Sequence, residues 1–118
     1  MTTNEPKQLE LFPYQAFDDY QNWAMSKAVY TGQESKYFYP VLGLVSEVGE
    51  LAALMKREIR DFEYSKESFK KEAGDILWYL TAVCQEEGLS LSEVVAANIE
   101  KLEGREERGT LKGSGDDR

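Results

Sequence analysis

The chain has 118 residues, enough for a single domain with a core of its own. It is 42% hydrophobic and 31% charged with a net charge of -8, a balance that fits a globular protein and opposes nucleic acid as a partner. With no histidine and one cysteine, Cys84, it excludes Ser-His-Asp and Cys-His nucleophiles, histidine-ligated zinc or iron, and an internal disulfide.

The first thirteen residues are polar, contain Pro6 and Pro13, and read as an N-terminal extension over 1–14. They lack a basic-then-apolar leader pattern, and no apolar run is expected to span a bilayer, so with its lone thiol the chain reads as cytoplasmic. A first helix is expected from about Phe17 to before Gly32, with Tyr20, Trp23, Ala24 and Tyr30 among its less polar positions. "TGQESKYF" (31–38) reads as a connection, and Pro40 suits the first turn of a second helix running to about Arg60. Ser65 caps a third helix ending near Glu87, with Gly88 as its stop. "SLSE" (90–93) is a capping box that opens a fourth helix reaching Glu103 or somewhat beyond. No stretch alternates as a half-buried strand does. The expectation is all-α: a four-helix bundle over 15–106, followed by a glycine-rich, irregular and flexible tail over 107–118.

Two helices carry acids inside apolar segments: Glu47 and Glu50 in "LVSEVGELAALM", and Glu72 and Asp75 in "EAGDILWYL". At roughly 100° per residue, Glu47 falls within the apolar arc formed by Leu44, Leu51, Met55, Val41, Val45, Val48, Ala52 and Leu54. Glu72 falls likewise among Phe69, Ala73, Ile76, Leu77, Leu80 and Tyr79. Each i+3 partner, Glu50 or Asp75, lies about 60° to the same side. Most such acid pairs are solvated faces, but these have apolar neighbours on both sides. Two like charges 4 Å apart repel by about 4 kcal/mol at a moderate effective dielectric, so four acids on facing helices call for a cation. Hard oxygen ligands without His or Cys point to Mg²⁺, with Mn²⁺ as a substitute. Di-iron bundles are disfavoured because the Glu-x-x-His pairs are missing. Glu58 shares the stripe and reads as a further ligand or as the partner of a nearby cation. Gly43, Gly49 and Gly74, each costing roughly 1 kcal/mol against alanine, suit close approach of a backbone or ligand, or ordinary tight packing.

Glu47-Val-Gly-Glu50 and Glu72-Ala-Gly-Asp75, with their flanking residues, resemble the signature of the MazG-like all-α nucleoside triphosphate pyrophosphohydrolases. The likeness continues through "NIEKLEGREERG" and "GSGDDR" and covers roughly residues 15–118. Some members carry a second glutamate just before the first motif acid, where this chain has Ser46. The resemblance implies Mg²⁺-dependent cleavage of a nucleoside triphosphate between its α- and β-phosphates, in nucleotide-pool housekeeping, with Glu47, Glu50, Glu72 and Asp75 as metal ligands and catalytic groups. It further implies that Asn98 meets sugar or base, and that Lys101 meets phosphate. Arg105 is a second phosphate candidate, with Arg108 just beyond; the plain alternative is a solvated helix end. Tyr79 and Trp23 are the aromatic candidates for the base, whereas Trp78 points away from the acids; aromatics at helical spacing also serve as core. Members are dimers or pairs of dimers, so a homodimer or homotetramer is expected. Two other readings remain: a relative acting on a specialised substrate such as phosphoribosyl-ATP, and a non-catalytic helical module that binds a nucleotide or a partner protein.

Overall fold

Ser65 starts its helix as its sequence context predicts: its backbone is extended and its hydroxyl accepts from the Ser68 N–H at 3.1 Å. Ser90 and Glu93 make the reciprocal pair of bonds of a capping box. The computed structural model describes residues 12–30 and 33–118, with residues 33–37 described by their backbone alone. Four helices lie within them: α1 Tyr14–Met25, α2 Gln33–Asp61, α3 Lys66–Glu86 and α4 Leu91–Glu107. No strand occurs among the described residues. The all-α, four-helix architecture expected from the sequence is the one observed.

Two helix boundaries depart from expectation. α1 begins at Tyr14 and closes at Met25, well short of Gly32. α2 begins at Gln33, so most of the expected connection is helical and Pro40 lies inside the helix. A proline there removes the bond to the carbonyl four residues back, at a cost of about 3 kcal/mol in an exposed helix. Pro40 is fully buried, and that burial offsets part of the cost. Most of the expected N-terminal extension, residues 1–11, lies outside the described residues.

α3 is the middle of the molecule. The short connection 62–65 folds it against α2 as a helical hairpin, and α1 packs on it separately; α4 rests on α1 and, less closely, on α3. Gly88, at φ +73°, lets the chain leave α3, and the Leu89 N–H turns back to the Cys84 carbonyl at 2.9 Å. Buried Gln21 of α1 fastens this corner. Its amide donates to Gln85 Oε1 at 2.9 Å and to the Leu89 carbonyl at 3.1 Å, while its oxygen accepts from the Leu91 N–H at 2.6 Å. Asp18 accepts from the Ser92 N–H and hydroxyl one turn away. Trp78 points away from the acids, as expected, and donates its indole N–H to the Ala24 carbonyl at 3.1 Å.

Among the described residues, no other helix covers the other side of α2. α2 touches neither α1 nor α4 among the described residues, and Leu42 (67% exposed), Val45 (64%) and Phe38 (64%) stand on its outer face with Val41 and Val48. Part of the apolar arc read as core from the sequence is therefore surface in the single chain. The radius of gyration, 17.8 Å, exceeds the 13–14 Å or so of a closed domain of this length. The segment Phe38–Asp61 holds an 18-residue window of mean hydropathy 1.4 and is long and apolar enough to cross a membrane by length and composition, contrary to the expectation that no run would be. Only 6% of that hydropathic window is buried within the chain.

Candidate active site

The α2–α3 hairpin brings Glu47 together with Glu72 and Asp75: one carboxylate oxygen from each lies within 4.8 Å of the others. Glu47 and Glu72 are half-buried and Asp75 is exposed, so the group sits at the edge of the hairpin with one side open. Glu50 is exposed and outside this close group, although its charge reaches Glu47. The wheel that joins Glu47 to α3 turns Glu50 aside, because three helical residues rotate a side chain about 60° off axis and lift it about 4.5 Å. The expected four-acid set is thus three acids in mutual reach with the fourth beside them. Glu58 is exposed near the far end of α2, outside the group.

The electrostatics fit a cation. Burial first, then a hydrogen bond shared with Glu72, then the charges of Asp75, Glu72 and Glu50 push the Glu47 carboxyl above the ordinary glutamate range. No lysine or arginine among the described residues forms an ion pair with Glu47, Glu72 or Asp75. Three converging carboxylates without a protein countercharge are an oxygen donor set suited to a hard divalent ion. Gly49 and Gly74, each next to a motif acid, face open space: an added Cβ would meet nothing within 4 Å. They leave room beside the acids and do not bring the two backbones together. Gly43 does serve close packing, because a Cβ there would collide with the Tyr79 ring.

Tyr79 is half-buried beside the acids. Its hydroxyl pKa is raised by burial, then by a hydrogen bond with Tyr39 and that group's charge, and then by the charges of Glu47 and Asp75. Tyr20 of α1 also borders the site, its hydroxyl raised by burial and by Asp75. Trp23, the other aromatic candidate, is 57% exposed, with its ring 6.1 Å from that of Tyr20 and Lys27 Nζ 5.9 Å from its centroid. Sequence reasoning missed Tyr39 as a neighbour of the site. Starting α2 at Pro40 left Tyr39 in a loop, whereas as a helical residue it lies two turns before Glu47 and on a flank of the same stripe.

The α4 candidates are set apart from the acids. Asn98 and Lys101 line a shallow surface pocket with Val94 and Ala97. No hydrogen bond or ion pair among the described residues joins them to the acid group, and α2 does not touch α4. Arg105, expected to meet phosphate, is instead 5% exposed and turned to the tail. Its Nη2 donates to the carbonyls of Gly115 at 3.1 Å and Asp116 at 2.9 Å, and the Asp116 carboxylate lies 3.5 Å from Lys101 Nζ. Arg108 also turns to the tail, donating to the Arg118 backbone oxygen. The tail, expected to be irregular and flexible, is irregular but tied: Arg118 donates to the Thr110, Leu111 and Gly115 carbonyls, and Gly109, Gly113 and Gly115 take positive φ to make the turns.

The sequence profile of the MazG nucleotide pyrophosphohydrolase domain matches residues 40–110, a span that holds all four motif acids together with Tyr79, Asn98, Lys101 and Arg105. The chain is 33% identical over 111 residues to the Gene 37 protein of Mycobacterium phage L5, an alignment covering 86% of this chain and 97% of that protein. No solved structure matches it. The paired acid motifs, their meeting on a helical hairpin and the matched span agree: the chain belongs to the MazG nucleotide pyrophosphohydrolase family.

Proposed function

We propose that this protein is a Mg²⁺-dependent pyrophosphohydrolase that cleaves free nucleoside or deoxynucleoside triphosphates between the α- and β-phosphates, releasing a monophosphate and pyrophosphate. The observation that carries this reading is the meeting of Glu47, Glu72 and Asp75 without a protein countercharge. Those three would hold a divalent ion, Mg²⁺ or in its place Mn²⁺, with Glu50 close enough to join a second ion or to orient water. A metal there supplies countercharge to the phosphates and lowers the pKa of bound water. The chain's own residues hold that charge in place: half-burial of Glu47 and Glu72 strengthens their pull, while exposed Asp75 faces the open side through which a triphosphate enters.

Asn98 and Lys101 are proposed to contact the substrate, Lys101 at phosphate. Because α4 does not touch α2 among the described residues, the reading includes a homodimer or homotetramer in which a second copy closes the site. The uncovered face of α2 is its contact surface. Burying an exposed valine or leucine there contributes about 1.5–3 kcal/mol, and Val41, Leu42, Val45 and Val48 offer themselves. A protein partner suits α2 better than lipid, since Glu47 and Glu50 sit in the middle of its apolar segment, where a bilayer penalises charge by several kcal/mol. The acidic net charge opposes nucleic acid, and nucleotide-pool housekeeping in the cytoplasm is the proposed setting.

The test is product analysis after incubation with the eight common NTPs and dNTPs, with Mg²⁺ and with chelator. The expected result is monophosphate and pyrophosphate in equal amounts, only with metal, and at least 100-fold less with Asp75→Asn. Diphosphate and orthophosphate as products would refute the reaction class. Turnover of phosphoribosyl-ATP alone would replace the substrate.

A further inference from the structure

Three tyrosine rings form a connected row from the acid group outward. Tyr79, beside Glu47 and Asp75, packs one side against the α2 backbone at Gly43 and meets Trp78 edge-on at 5.1 Å and 87°. Tyr39 lies next, its ring 6.4 Å from that of Tyr79 and tilted 49° to it. Tyr30 stacks on Tyr39 at 5.4 Å with only 23° between the planes, and its own hydroxyl is held by Glu86 at 3.0 Å. The row is therefore anchored at both ends, by the glycine at Tyr79 and by the carboxylate at Tyr30.

The members of this row differ in what they can offer a ligand. Tyr79 is enclosed by Gly43 and Trp78, and Trp78 is committed to the Ala24 carbonyl. Tyr39 is 49% exposed although Tyr30 stacks on it, so a substantial part of the residue stays open to a ligand. It stands eight helical residues before Glu47, about 12 Å along the axis, comparable to the reach of a nucleotide from its phosphates to its base. A ring already held between Tyr30 and Tyr79 loses little freedom when a further planar group settles on its open side.

We propose that Tyr39 is the platform on which the substrate's base stacks, with Tyr30 and Tyr79 holding it in place. This rests on the nucleotide reading given above and adds a basis for taking a nucleotide over bare polyphosphate. Stacking is tolerant of base identity, because every nucleobase has a π-face. Tyr39 therefore favours nucleotides as a class, and discrimination among bases falls to other groups.

The test compares calorimetric binding of an α,β-methylene nucleoside triphosphate and of inorganic tripolyphosphate, both with Mg²⁺, to wild type, Tyr39→Phe and Tyr39→Ala. The expected result is a loss of about tenfold or more in nucleotide affinity for Tyr39→Ala, with tripolyphosphate affinity unchanged and Tyr39→Phe near wild type. Tyr39→Leu, which keeps apolar bulk without a π-face, replaces Tyr39→Ala if the smaller side chain unfolds the protein, and the same loss is expected. Equal nucleotide affinity in wild type and the non-aromatic variant overturns the proposal, as does an equal loss for both ligands, which would mark a purely structural role. Wild type binding tripolyphosphate as tightly as the nucleotide also overturns it while leaving the acid site standing. Wild type binding neither ligand overturns the pyrophosphohydrolase reading together with it.

Discussion

Glu47 is the residue on which the site turns, because burial, a hydrogen bond with Glu72 and the surrounding carboxylates push its carboxyl above the ordinary glutamate range. A carboxyl that binds its proton more tightly folded than unfolded favours the native state below its ordinary pKa. That contribution is lost as pH rises through the raised value. The metal-free protein should therefore carry a repulsion at neutral pH that Glu47→Gln relieves. Thermal melts in chelator are expected to show the variant a few degrees more stable than wild type at pH 7, with the difference vanishing near pH 4. Added Mg²⁺ should reverse the order by stabilising wild type alone. In wild type that Mg²⁺ effect should weaken as pH falls into the raised Glu47 range, where the ligand becomes protonated. An unchanged melting point for the variant in chelator would contradict the repulsion. The acids were legible in the sequence because their helical period set them among apolar residues. Glu50 was less so: a wheel gives its angle but not which neighbour on α3 stands across from it.

At the scale of the element, the hairpin is positioned by polar bolts that hydrophobic periodicity does not reveal. Gln21 satisfies three backbone or side-chain groups at the α3–α4 corner from the middle of α1. Gln21→Leu would leave the Leu91 N–H and Leu89 carbonyl without partners in a buried corner, at about 1–3 kcal/mol each. Denaturant unfolding should show a loss of at least 2 kcal/mol; a loss below 0.5 kcal/mol would mean that water replaces the amide. The caps of α3 and α4 were readable, since Ser65 and the Ser90–Glu93 pair act within a few residues of themselves. The start of α2 was not, because proline's rule for first turns yields to tertiary burial at Pro40. The contact of Arg105 with the tail was hidden for a related reason. Its spacing puts it on the face of Asn98 and Lys101, but the tail folds back and takes its guanidinium.

For the whole molecule, the helical content was evident from the sequence and the openness was not. A wheel identifies an apolar arc without saying whether its cover comes from the same chain, and here Leu42 and Val45 are largely exposed on α2 among the described residues. If a second copy covers them, Val45→Glu should convert the assembly to monomer in light scattering after size exclusion, and lower turnover at least tenfold while helicity persists. A wild type that is monomeric at micromolar concentration would refute the self-association. In the proposed function Glu47, Glu72 and Asp75 share one cation. The most direct measurement is calorimetric titration of Mg²⁺, with Mn²⁺ in parallel, into wild type and Glu72→Gln. Saturable binding by wild type, weakened at least tenfold by removing that single charge, is the predicted result. Binding of equal strength to both proteins, or none to wild type, would contradict it.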